Sequence, residues 1–278
     1  MPRPDIRAQW EGAAPGWARW ENTVATWMEP ATEAMLAMAG INAGSRVLDV
    51  ASGAVSQTLR AARQVGPHGH VIATDIADSM LHHVRENARV AGLANVTTIA
   101  TAAEALDVPP HSVDAVICRL GLMLFAEPAR ALAAARRALR PAGKLSGVVF
   151  TTPGANPFMA EPMRILLRHA GKTPPAPGQP GIFALGAPGA LERLLLDTGF
   201  VAAEQRTVGV PLRMSSASQA LTMMQDAFGA YRAVMNDQPA AVQEAAWAEV
   251  AKTLVRFETP TGFLAPAEVS IVAGTNPG

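Results

Sequence analysis

Apolar residues first recur every three or four positions over residues 5–40, the period of a helix. The pattern predicts helices there, with a break from Gly12 to Gly16 around Pro15, because proline lacks a backbone donor and crowds the turn before it. Trp17, Trp20, Val24 and Trp27 follow spacings of three, four and three and share one face. Such a face packs on the body of the protein or lines a lid, and the two roles are compatible.

From Arg46 the pattern changes. Arg46–Val50 is a short, largely apolar run that reads as a buried parallel strand, followed by the small-residue turn Ala51-Ser-Gly53 and a helix over residues 57–65. Further strands are predicted at 71–75, 95–100, 113–118 and 145–150. Between them, Asp78 is placed to cap a helix starting at Ser79 and ending at Gly92, and Pro128 opens another that Pro141-Ala-Gly143 closes. Strands alternating with helices in this way predict an α/β fold, a doubly wound and mostly parallel sheet. Residues 153–190 are rich in Pro and Gly around one helix near 162–170, as expected of a loop folded over a site. Beyond it come a helix at 188–198, a strand at 201–210, helices at 217–235 and 239–257, and a last strand at 268–273. The division that follows is a helical lid (1–40), an α/β core (41–152), the loop (153–190), and the end of the sheet (191–278) with a helical cap inserted at about 215–259.

Charge narrows the function. Lys and Arg total 23, Asp and Glu total 23, and a net charge of +0 lacks the basic excess of a nucleic-acid surface. The single cysteine, Cys118, excludes an internal disulfide framework and suits a reducing cytoplasm. No run offers the roughly twenty apolar residues of a membrane span, and no spacing of ligands suggests a metal site.

A strand, a small-residue turn and a helix N-terminus make a pocket of backbone N–H groups for a nucleotide-like ligand. The segments Val47-Leu-Asp-Val-Ala-Ser-Gly53, Asp75, Ala103-Glu-Ala-Leu106, Ser112-Val-Asp-Ala-Val116 and Leu139-Arg-Pro-Ala-Gly-Lys144 together resemble class I S-adenosylmethionine-dependent methyltransferases, of the ubiquinone/menaquinone C-methyltransferase-like group. The resemblance covers about residues 40–150 and implies a seven-stranded sheet whose last strand is antiparallel. It also implies S-adenosylmethionine as cofactor, with the turn Asp49, Ala51, Ser52 and Gly53 at its methionyl part. Asp75 would take the ribose hydroxyls, Ile76, Ala102 and Ala103 would lie by the adenine, and Cys118 would face the reacting methyl. Arg119, Glu104, His169 and Tyr231 are the polar candidates for the acceptor side.

The expected reaction is C- or O-methylation of an apolar small molecule in biosynthesis. Phe158, Met159, Met163, Met223, Met224 and Phe228 are read chiefly as core, and they would suit such an acceptor if a cavity exposed them. The oligomeric state stays open between monomer and homodimer. Two positions depart from the family pattern: Val55 stands at the third glycine of the turn, and Ala102 replaces the acid that takes the adenine amino group. They motivate an alternative, an enzyme on the same fold that cyclises or isomerises its substrate without methyl transfer.

Overall fold

The structure is a computed structural model that describes residues 6–53, 56–176 and 179–278. Its first helices are α1 (Ile6–Arg19), α2 (Glu21–Trp27) and α3 (Glu29–Met38). The break expected at Gly12–Gly16 is absent, and α1 runs through Pro15. Gly16 serves a close approach instead: a Cβ there would lie 2.0 Å from the backbone oxygen of Asp226.

The core then alternates as its apolar pattern requires: β1 (Arg46–Val50), α4 (Ser56–Val65), β2 (His70–Asp75), α5 (Asp78–Val90), β3 (Val96–Ala100), β4 (Val113–Arg119), α6 (Pro128–Ala138) and β5 (Leu139–Phe150). Asp78 does not cap α5. Its carboxylate pairs with Arg85, and Glu11 of α1 accepts from the N–H groups of Asp78 (2.9 Å) and Ser79 (3.2 Å) in its place. Hydrogen bonding from Ser79, side chain first and then backbone, and from the Asp78 N–H holds the Glu11 carboxyl below its ordinary range against desolvation. The 141–143 stretch is not a stop either. Buried Asn276 holds it in the sheet, donating to the carbonyls of Leu139 and Arg140 and, through its backbone, to Gly143.

The rest comprises α7 (Pro157–His169), α8 (Ala190–Asp197), β6 (Val201–Gly209), β7 (Leu212–Met214), α9 (Ala217–Ala227), α10 (Gly229–Met235), α11 (Ala240–Leu254), β8 (Glu258–Thr259), β9 (Gly262–Ala265) and β10 (Glu268–Thr275). The helix expected over 217–235 is two, parted at Phe228, whose ring contacts Trp17, Phe158 and Tyr231. Strand order in the large sheet is β3-β2-β1-β4-β5-β10-β6, parallel except that β10 runs antiparallel between β5 and β6. The doubly wound seven-stranded architecture is therefore as expected. A second sheet, β7-β9-β8, went unforeseen, because strands of two to four residues carry too little alternation to register.

Phe158, Met159, Met223, Met224 and Phe228 are all buried, in one apolar cluster that also takes in Trp27 of α2 and the strands. Trp27 donates from Nε1 to the carbonyl of Val210 at 2.6 Å, and its ring packs tilted against Phe150 and edge-on against Phe158. The Pro/Gly-rich segment packs at the ends of β4 and β5. Gly181 donates to the carbonyl of Met123, and Gly186 sits so close to the carbonyl of Thr151 that a Cβ would meet it at 2.3 Å.

Candidate active site

The C-terminal ends of β1, β2, β3 and β4 converge on the turn after β1, where ligands of open α/β sheets bind. Asp49 ends up fully buried because β1 is sandwiched between β2 and β4. Thr58 donates to its Oδ2 at 2.6 Å, and Gln57 reaches its Oδ1 only at 3.5 Å. Burial pushes the Asp49 carboxyl up to about 7, against the lowering effects of Thr58 and the Arg119 charge.

The turn itself is left-handed at two residues, Ala51 (φ 54°) and Gly53 (φ 59°). Alanine pays a conformational cost there that glycine would not. Ala51 is tolerated beside β4 because Gly121 is small: a Cβ on Gly121 would lie 2.8 Å from both the Ala51 methyl and Cys118 Sγ. The turn position Val55 lies outside the described residues.

Asp75, at the end of β2, ties the turn to the neighbouring strand. Its Oδ2 accepts from the Gly53 N–H (3.0 Å) and its Oδ1 from the Ala77 N–H (3.0 Å), and each oxygen keeps a further lone pair for a ligand hydroxyl. Burial raises its carboxyl above the ordinary range, and those N–H groups oppose the rise. Ile76 follows, partly exposed, and Ala102 precedes a short turn in which Ala103 is buried. Cys118 is buried among apolar neighbours, and its thiol is pushed up to about 12, so it stays neutral.

Arg119 closes the site on the side of the first helices. Its guanidinium donates to Thr32 of α3 (2.9 Å) and Ser56 of α4 (2.8 Å), with no carboxylate in salt-bridge contact among the described residues. Desolvation lowers it to about 10, and the charges of Asp49 and Glu21 oppose that, so it remains a cation. Glu21 of α2 is in turn raised to about 7 by burial.

The structure does not bring the other candidates here. Glu104 accepts from the backbone N–H groups of Ala126 and Glu127, ahead of α6. His169 pairs with Glu249 of α11 at 2.9 Å. The Tyr231 hydroxyl donates to the carbonyl of Met159 at 2.7 Å in the apolar core, where burial raises it far above its usual range. Each of the three thus has a polar partner of its own.

Gln57, Thr58, Glu21, Thr32 and Ser56 were not foreseen. A signal existed for Gln57 and Thr58, which stand one turn before the buried Ala61 and Ala62 and so are polar residues on the buried face of α4. Glu21 and Thr32 gave none, because their place depends on how α2 and α3 dock.

A stability test follows from Asp49. Its folded value, about 7, lies above the roughly 3.9 of an unfolded Asp, so the native state binds the proton more tightly. Stability then falls as pH rises from about 4 through 7, where the buried charge forms. Asp49→Asn removes that slope, so its melting temperature should gain on the parent steadily from about pH 5 to about pH 7 and level off above that. A constant offset across that range would refute the assignment.

Comparison with known proteins agrees with this geometry. Residues 47–143 match the methyltransferase domain family. A ubiquinone/menaquinone biosynthesis C-methyltransferase of Pasteurella multocida is 39% identical over 120 residues, 43% of this chain and 45% of that protein. The match thus spans less than half of the relative's length. Among solved structures, the YcgJ protein of Bacillus subtilis superposes with a TM-score of 0.61 at 17% identity, over 90% of this chain and 99% of that one. The [4+2]-cyclase SpnF does so with a TM-score of 0.55 at 19% identity, over 90% of this chain and 81% of that one. At such identities these two likenesses concern the fold alone, so SpnF gives the rearrangement alternative no support. Residues 47–143, at the ends of whose strands the site lies, thus carry a methyltransferase domain match, and over 120 residues the chain is similar to the ubiquinone/menaquinone C-methyltransferases.

Proposed function

We propose that the chain methylates an apolar small molecule, at carbon or oxygen, with S-adenosylmethionine as donor. The observation that carries this is the turn after β1: it is left-handed at Ala51 and Gly53 and tied to the Asp75 carboxylate, within the stretch that matches the methyltransferase domain. The site also fits the donor in needing polar partners, since buried Ser52 Oγ and Gln57 Oε1 have none among the described residues. Asp75 would take the ribose hydroxyls, Ile76, Ala102 and Ala103 the adenine, and the turn Asp49–Gly53 the methionyl part. When bound, the donor supplies an electrophilic methyl on a sulfonium.

The residues here align the reactants and exclude water, which is the main demand of such a displacement. Helices α1–α3 serve as lid and α9–α11 as cap. The name of the Pasteurella relative makes quinone-like rings the first acceptors to try. Where the acceptor must lose a proton, Glu21, at about 7 and beside Arg119, has the affinity for one that such a base needs. No helix among the described residues is long and apolar enough to cross a membrane.

Calorimetric titration with S-adenosylmethionine and S-adenosylhomocysteine tests the reading. Micromolar binding is expected, and no binding at millimolar ligand would end it. Because Ala102 offers no acceptor to the adenine amino group, Ala102→Asp should tighten S-adenosylhomocysteine by about 10-fold or more, a hydrogen bond to a charged acceptor being worth ~1.5–3 kcal/mol. An unchanged affinity would place the adenine elsewhere.

A further inference from the structure

At the end of β4, Arg119 is a cation with no anion in contact. The arginines that form ion pairs among the described residues sit on the surface, with side chains at least 41% exposed. Water screens such pairs, so they add little. Arg119 is half-buried, where a charge has more need of a partner, yet its hydrogen bonds go to the neutral hydroxyls of Thr32 (2.9 Å) and Ser56 (2.8 Å). Thr32 gives its own proton to the carbonyl of Met28 at 2.9 Å, so its oxygen is fixed as an acceptor and holds one arm of the guanidinium in place. Asp49 and Glu21 act on Arg119 through their charges alone.

A guanidinium carries more N–H groups than these two bonds use. Arg119 is not sealed off: it is partly exposed, and none of its nitrogens is among the buried polar atoms that lack a partner, so the spare N–H groups open to solvent. A planar fork of such donors matches a carboxylate in a two-point grip. Its holders are α3 of the lid and the start of α4, which set it where the lid meets the sheet. We propose that Arg119 selects the methyl acceptor by gripping a carboxylate on it, so that the substrate is an apolar acid. This rests on reading the site as a donor site. Because the donor's amino-acid arm also ends in a carboxylate, the test must tell the two apart.

Calorimetry on the full chain loaded with S-adenosylhomocysteine compares cinnamate, 1-naphthoate and decanoate, each with its primary amide. At least one acid should bind about 10-fold or more tightly than its amide, the margin of a charge-assisted bond. Arg119→Leu should abolish that preference while changing S-adenosylhomocysteine by less than about threefold. Arg119→Lys, which keeps the charge and loses the fork, should retain an intermediate preference. Arg119→Gln replaces the leucine variant if that one fails to melt cooperatively. Acids that bind no better than their amides, or not at all at millimolar concentration, overturn the proposal. So does an equal loss of S-adenosylhomocysteine in Arg119→Leu, which would make the anion the donor's own. A parent that does not bind S-adenosylhomocysteine overturns the donor site instead, and acid and amide are then compared on the unloaded chain.

Discussion

Asp75→Ala should lower affinity for S-adenosylhomocysteine by about 100-fold or more. The carboxylate stands at the end of β2 with a lone pair free on each oxygen, and two hydroxyl bonds to a charged acceptor are worth ~1.5–3 kcal/mol apiece. One bond alone corresponds to about one to two decades in the dissociation constant. The same side chain holds the N–H groups of Gly53 and Ala77, so its loss also loosens the turn. Asp75→Asn separates these contributions. It keeps one accepting oxygen and a similar volume, and should lose less affinity than the alanine variant. Calorimetry on both, with a thermal melt to confirm folding, decides the matter. A loss below about threefold for Asp75→Ala would mean that the carboxylate is a structural tie and the ribose lies elsewhere.

The difference between what the chain announces and what it hides follows from the range of the interactions. β1, β2, β4 and α6 were legible because each rests on local period and local stops, such as Pro128 at the start of its helix. Asp75 was legible as a residue at a strand end. Pro15 and Pro141 misled for a shared reason: both are strong local punctuation overridden by distant partners, the backbone at Asp226 for α1 and the side chain of Asn276 for β5. The acceptor candidates Glu104, His169 and Tyr231 were chosen by residue type, and type does not reveal that a partner elsewhere already occupies the polar atom. Arg119 differs from them because its partners are neutral hydroxyls of α3 and α4, which leave its charge available to the site.

Gly16→Ala should be strongly destabilising, its added Cβ making the shortest contact of any described glycine's. An exposed helical Gly→Ala exchange normally stabilises by up to ~1 kcal/mol, but here the new Cβ would lie 2.0 Å from a backbone oxygen and 2.5 Å from a backbone carbon of Asp226. Backbone cannot rotate aside as a side chain can, so α1 must lift from α9. That crossing also carries the Trp17–Phe228 contact and the bonds of Arg19 and Trp20 to the Asp226 carboxylate. Overpacking of this kind costs about 1–3 kcal/mol, and loosening those contacts adds to it, for a fall of roughly 5–10 °C in melting temperature. The effect should reach the donor site. Glu11, on the same helix, caps α5 directly after the Asp75–Ala77 bond, so a lifted α1 uncaps α5 and frees the loop that orients Asp75. Glu11→Gln isolates that link: it leaves the crossing intact, removes the charged cap, and should weaken S-adenosylhomocysteine severalfold with a change of only about 1 kcal/mol in stability. If Gly16→Ala melts with the parent and binds equally well, α1 is not seated on α9 as described, and the path from the first helix to Asp75 fails with it.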